Sequence, residues 1–108
     1  MKMDHVLLAT DFSSWARRAE DYACFFAARG HARLTVISVL EFATGMHPAY
    51  PVNHQYLTER MREASVLLTE SKQRITQRGI SVSTRIETGM PSEHIVGVAA
   101  AEDVDLVV

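Results

Sequence analysis

The chain has 108 residues, enough for one small domain, and its 47% hydrophobic and 22% charged content is ordinary for a folded protein. Eleven basic and 13 acidic residues leave a formal charge of −2, which argues against a basic surface for nucleic acid. The single cysteine, Cys24, rules out an internal disulfide, and no run approaches the roughly 20 apolar residues of a membrane helix.

Val6–Ala9 predicts a short strand buried on both faces. Thr10 and Asp11 stop it, and Ser13 or Ser14 can cap a helix over Ser14–Arg29. Ala16, Ala19, Ala23, Phe26 and Ala27 form the expected inward face of that helix, with Cys24 at its flank as a packed thiol. Arg17 and Asp21 are spaced to pair, and Gly30 is the expected left-handed stop. Leu34–Leu40 reads as a second buried strand. A loop over Glu41–Asn53 follows, kept irregular by Gly45, Pro48 and Pro51 and long enough to cover a ligand site.

The second helix presents Leu57, Met61, Ala64, Leu68 and Ile75 at helical spacing and stops at Gly79. Ile80–Ile86 alternates apolar residues with Ser81, Ser83 and Arg85, the pattern of an edge strand. Gly89-Met90-Pro91 turns into a third helix with Pro91 at its first position and Ile95, Val98 and Ala99 inward. Val104–Val108 begins a fourth buried strand.

Strands alternating with helices predict an open parallel sheet with helices on both faces. Two central strands followed by an edge-like third suit the order 3-2-1-4. The chain then reverses beside the first strand, and ligands bind in such sheets at that point, by the carboxyl ends of the strands. Asp11 falls there, either as a capping carboxylate or as a ligand contact. Because Leu106-Val107-Val108 is too apolar for a bare edge, a fifth strand and last helix are expected beyond residue 108, completing the order 3-2-1-4-5.

Familiar phosphate motifs are absent: there is no GxxxxGK[ST] and no GxGxxG after the first strand. The first turn offers one carboxylate where two would hold Mg²⁺ for phosphoryl transfer. The five histidines lack metal-ligand spacing, and no nucleophile–base pair stands out.

Leu7-Leu8-Ala9-Thr10-Asp11-Phe12-Ser13, Leu34-Thr35-Val36-Ile37-Ser38-Val39, Gly89-Met90-Pro91 with Ile95, and Asp105-Leu106-Val107-Val108 together resemble the universal stress protein family in order and spacing, over essentially the whole chain. The resemblance implies a cytoplasmic, stress-response regulatory protein that binds ATP or a related adenine nucleotide, with Mg²⁺ where phosphates are held. In its nucleotide-binding members, the residues matching Ala9, Thr10 and Asp11 line the adenosine end of the pocket, and the one matching Val39 contacts the base. Many members carry Pro at the position of Ala9. In ATP binders a glycine-rich phosphate stretch follows the fourth strand, which places it after Val108. Members commonly form homodimers through the strand expected next. A dimeric interaction protein without nucleotide is the alternative, and a slow ATPase ranks third.

Overall fold

A computed structural model describes residues 3–41 and 54–108, with side chains from residue 57 onward in the second stretch. Strand β1 (His5–Ala9), helix α1 (Ser14–Gly30), strand β2 (Arg33–Leu40), helix α2 (His54–Gln77), strand β3 (Val82–Thr88), helix α3 (Pro91–Ala101) and strand β4 (Leu106–Val107) follow in chain order. Most of the loop expected over 41–53 lies outside the described residues. The four strands form one parallel sheet in the order β3-β2-β1-β4, as the hydropathy pattern predicts. Among the described residues no helix is long and apolar enough to cross a membrane.

Alternation along the central strands divides the core between two faces. Val6, Leu8, Leu34 and Val36 pack with Ala23, Cys24 and Ala27 of α1 and with Leu68 and Ile75 of α2. Leu7 and Ile37 face the other way, against Val98 of α3, with Ile95 and Ala99 beside it. Right-handed crossovers dictate this split: two moves in one direction put α1 and α2 on one face, and the return across the sheet puts α3 on the other. Each fully buried Leu or Ile contributes about 1.5–3 kcal/mol.

Short devices close the ladder at β4. Asp105 accepts backbone bonds through Oδ2 from Asp4 (2.8 Å) and His5 (3.0 Å), while its own amide donates to the His5 carbonyl at 2.9 Å. These backbone donors hold the Asp105 carboxyl below its ordinary range.

Several details depart from the sequence pattern. The left-handed residue ending α1 is His31 (φ 51°), not Gly30, which is the last helical residue. Gly30 is there for space: a Cβ would lie 2.8 Å from the Met3 carbonyl oxygen. Gly79 (φ 79°) does end the second helical stretch as expected, with open space where a Cβ would sit. The buried stripe of α1 is rotated toward Glu20, Ala23, Cys24 and Ala27, leaving Phe26 38% exposed. Met61 likewise stays outside, whereas Ala64, Leu68 and Ile75 of the same expected face are buried. Residues 80 and 81 precede β3, whose ladder begins at Val82.

Arg17 and Asp21 do not pair. A clamp between α1 and α2 takes precedence: buried Glu20 accepts from Arg74 Nε (2.9 Å) and Nη2 (2.8 Å) and from the Ser71 hydroxyl, with Arg17 at 3.5 Å. Asp21 is drawn instead to Arg78 at 3.0 Å. Burial of Glu20 works to raise its carboxyl, but the Arg74 and Ser71 hydrogen bonds and the charge of Arg74 outweigh it and leave the group below its ordinary value.

A folded-state value below the unfolded one means that Glu20 stabilises the fold above the ordinary glutamate pKa, and that this contribution is lost as pH falls through the folded value. Glu20→Gln should therefore cost about 1–3 kcal/mol at neutral pH, as expected for a charged hydrogen-bonding partner. The deficit should shrink on acidification to about pH 3, where Glu20 is largely protonated in the unfolded chain. Urea unfolding of parent and variant at both pH values checks this; a deficit that does not change with pH contradicts it.

Candidate functional site

The carboxyl end of β1 is where the two flanking strands part company. The Ala9 amide donates to Val108 beyond β4 at 3.3 Å, and the next amide, Thr10, donates to Ile37 of β2 at 2.9 Å. Beyond Thr10 the chain turns up into α1, while α3 arrives from the far edge to cover the other face. Among the described residues no helix fills the corner between them, and a cavity of about 390 Å³ opens there.

The turn into α1 is fixed by side chains bonding backbone. Thr10 Oγ1 accepts from the Phe12 amide (3.0 Å), Asp11 Oδ1 from the Ser13 amide (2.9 Å), and Ser13 Oγ from the Ala16 amide (3.1 Å). The last of these is the N-cap of α1, so Ser13, not Ser14, caps the helix. Between them Phe12 sits at φ 64°, a left-handed conformation that costs a bulky residue about 1–3 kcal/mol. Its ring packs against the α1–α2 side of the core, so the turn is held from both ends.

All four residues singled out in the sequence lie on this one cavity: Ala9, Thr10, Asp11 and Val39. Val39 is only half-buried and packs beside Ala9 and Ile95 while lining the opening, so it is both core and wall. Asp11 is exposed. The Ser13 hydroxyl and then the Ser13 amide hold its carboxyl below the usual range, so it carries its charge at neutral pH.

The pattern of single residues missed the rest of the wall. Trp15 and Ala16 come from the first turn of α1, and Pro91 and Ile95 from the first turns of α3. Two helix N-termini thus border the cavity and offset the Asp11 charge with the positive ends of their dipoles. Pro91 at the first position of α3 was the available signal, since it fixes where that helix starts. The site is therefore an apolar slot with one ionised carboxylate at its rim, within the range of about 300–1,000 Å³ typical of small-molecule pockets.

The family-level comparisons agree with the fold. A model of the Universal stress protein family matches residues 2–108. A universal stress protein of Staphylococcus haemolyticus is 33% identical over 106 residues, covering 95% of this chain and 63% of that protein. A Staphylococcus aureus relative (strain USA300) is 33% identical over 93 residues, 84% of this chain and 55% of its own length. The chain therefore spans somewhat over half the length of these relatives. Among solved structures, a protein of the universal stress protein family from Burkholderia pseudomallei superposes with a TM-score of 0.82 at 27% identity, covering 98% of this chain and 80% of that one. A universal stress protein in complex with cAMP gives 0.73 at 22% identity, covering 99% and 71%, a likeness of fold. The chain belongs to the universal stress protein family.

The capping network makes a stability prediction. Ser13→Ala removes the acceptor for Ala16 and the hydroxyl beside Asp11, and should lower stability by about 0.5–2 kcal/mol, the usual cost of a lost N-cap. Chemical denaturation with an unchanged far-UV spectrum should show the loss; unchanged stability would mean that the cap is idle.

Proposed function

We propose that this universal stress family chain is the adenosine-binding part of a cytoplasmic stress-response regulator, and that its ligand is ATP or a related adenine nucleotide. The supporting observation is that Ala9, Thr10, Asp11 and Val39 border one cavity at the carboxyl edge of the sheet, where β1 and its neighbours diverge. The four come from two strands and a turn. The cAMP complex of a family relative adds the ligand class.

The residues fit an adenosine moiety. Val39, Ile95 and Pro91 offer apolar surface to the flat base, and the small Ala9 lets it approach the strand backbone. Asp11 suits ribose, because an ionised carboxylate accepts well from hydroxyl groups and repels phosphate oxygens. The phosphates are then assigned to backbone donors following β4 in the full-length protein, where Mg²⁺ would accompany them. In this reading a fifth strand also follows and pairs two copies into a homodimer. The reading is of a binding module: among the described residues the hydroxyls that line the cavity, Thr10 and Ser13, accept from backbone amides in the turn, and its carboxylate is committed to the turn and the sugar.

Asp11→Ala in the full-length protein should weaken AMP binding by about ten- to a hundredfold, the equivalent of one charge-assisted hydrogen bond of roughly 1.5–3 kcal/mol. The 2′,3′-dideoxy analogue should bind the parent as weakly as AMP binds the variant, and the two losses should not add. Isothermal titration calorimetry of the four combinations is the test. Equal AMP affinity for parent and variant removes Asp11 from the site, and no binding of any adenine nucleotide favours the interaction protein without ligand.

A further inference from the structure

Phe12 stands at φ 64°, in the left-handed region that glycine and asparagine enter with little strain and that a bulky residue avoids. Such a residue persists there only where its surroundings hold it. Two side-chain turns overlap at this point. Thr10 Oγ1 accepts from the Phe12 amide at 3.0 Å, and Asp11 Oδ1 accepts from the Ser13 amide at 2.9 Å. Glycine or asparagine at position 12 would close both turns as well. The backbone therefore gives no reason for a phenylalanine.

The ring supplies one. Thr10 and Ser13 border two spaces, the cavity of about 390 Å³ and a crevice of about 260 Å³ between α1 and α2. The two residues between them divide. Asp11 borders the cavity and not the crevice, and Phe12 borders the crevice and not the cavity. The Phe12 ring is half-buried and packs against the core cluster that holds Val6, Leu8, Ala23, Cys24 and Leu68. Ser71 and Arg74 of α2, both bonded to Glu20 of α1, also border the crevice, so the clamp between the helices closes the ring's seat. Asp11 itself is exposed. Packing on its own side chain cannot fix its direction, and the turn has to do so.

We propose that Phe12 is a positioning residue: its ring, seated in the α1–α2 core, locks the turn that aims the Asp11 carboxylate into the cavity. A glycine there would lower the strain but free the turn, and the carboxylate would then sample directions away from a ligand. Toward ribose this role rests on the adenosine reading of the site; toward the carboxylate alone it does not.

The test compares the full-length parent with Phe12→Gly, with Phe12→Asn as a second small variant, and with Phe12→Leu, which keeps an apolar anchor. All are measured well below their melting temperatures. The first readout needs no ligand: NMR titration of the Asp11 carboxyl. Hydrogen bonds from Ser13 hold it below its ordinary range in the parent, and Phe12→Leu should keep it there. In Phe12→Gly and Phe12→Asn it should climb back toward the ordinary aspartate value. The second readout is calorimetry. Phe12→Gly should weaken AMP binding about three- to tenfold, leave the 2′,3′-dideoxy analogue unaffected, and add nothing to the loss in Asp11→Ala. Phe12→Leu should bind AMP as the parent does. A residue that only fills the core would lower the melting temperature of both small variants and move neither readout, which overturns the proposal. So does a Phe12→Gly loss shared equally by the dideoxy analogue. If the Asp11 titration shifts as stated while the parent binds no AMP, the positioning role stands and the nucleotide reading falls.

Discussion

Strand β1 is paired in parallel on both sides, to β2 and to β4, while both of its faces are covered. That constraint shapes both the core and the cavity. A strand with no free edge and no wet face must be apolar throughout, and Val6, Leu7 and Leu8 are all fully buried. Its two neighbours are reached by crossovers that leave in opposite directions, so the helices above its carboxyl end separate. The cavity is the space this separation leaves. A residue there must be small or polar, since it lies between packed core and solvent, and Ala9, Thr10 and Asp11 occupy those places.

The same constraint accounts for the polar groups buried on the α3 face. His5, at the start of β1, cannot reach water, so its two ring nitrogens are engaged inside: Nδ1 with the Glu102 carbonyl at 3.2 Å, and Nε2 with Thr35 Oγ1 at 2.7 Å. In the neutral ring the carbonyl can only accept, which puts the proton on Nδ1 and makes Thr35 the donor to Nε2. Ser83 then donates to Thr35 at 3.2 Å, and a line of bonds crosses β1, β2 and β3. Arg85 extends it outward, bridging Glu87 of its own strand to Glu102 just past α3. The chain of donors is directional, so shifting any of these strands by one residue breaks it. Its contribution is to register as much as to stability.

How much of the structure is legible in the sequence depends on the range of the interaction. The strands are, because a doubly buried strand is a run of apolar residues and an edge strand alternates; from that contrast at Ile80–Ile86 comes the strand order. The gathering of Ala9, Thr10, Asp11 and Val39 is also legible, since it needs only the order and the ends of two strands. Interactions set by the rotation of a helix are not. The periodicity of α1 permits an inward Phe26, but the Glu20–Arg74–Ser71 clamp turns the helix so that Cys24 goes in and Phe26 comes out. Gly30 misleads for a related reason. A glycine near a helix end suggests positive φ, and here the N-terminal segment running over it at Met3 imposes a requirement for space. The polar line from His5 to Ser83 spans residues far apart in sequence and leaves no local signature.

Helix α1 ends up with three sides in three settings: Ala23, Cys24 and Ala27 against the sheet, Ala16 and Ala19 along the cavity, and Trp15, Tyr22 and Phe25 toward solvent. One residue belongs to two of them. Trp15 borders the cavity in the first turn, and its ring supports the Arg18 guanidinium. The first turn of α1 thus joins the cavity to the outer face of the helix through one largely exposed ring.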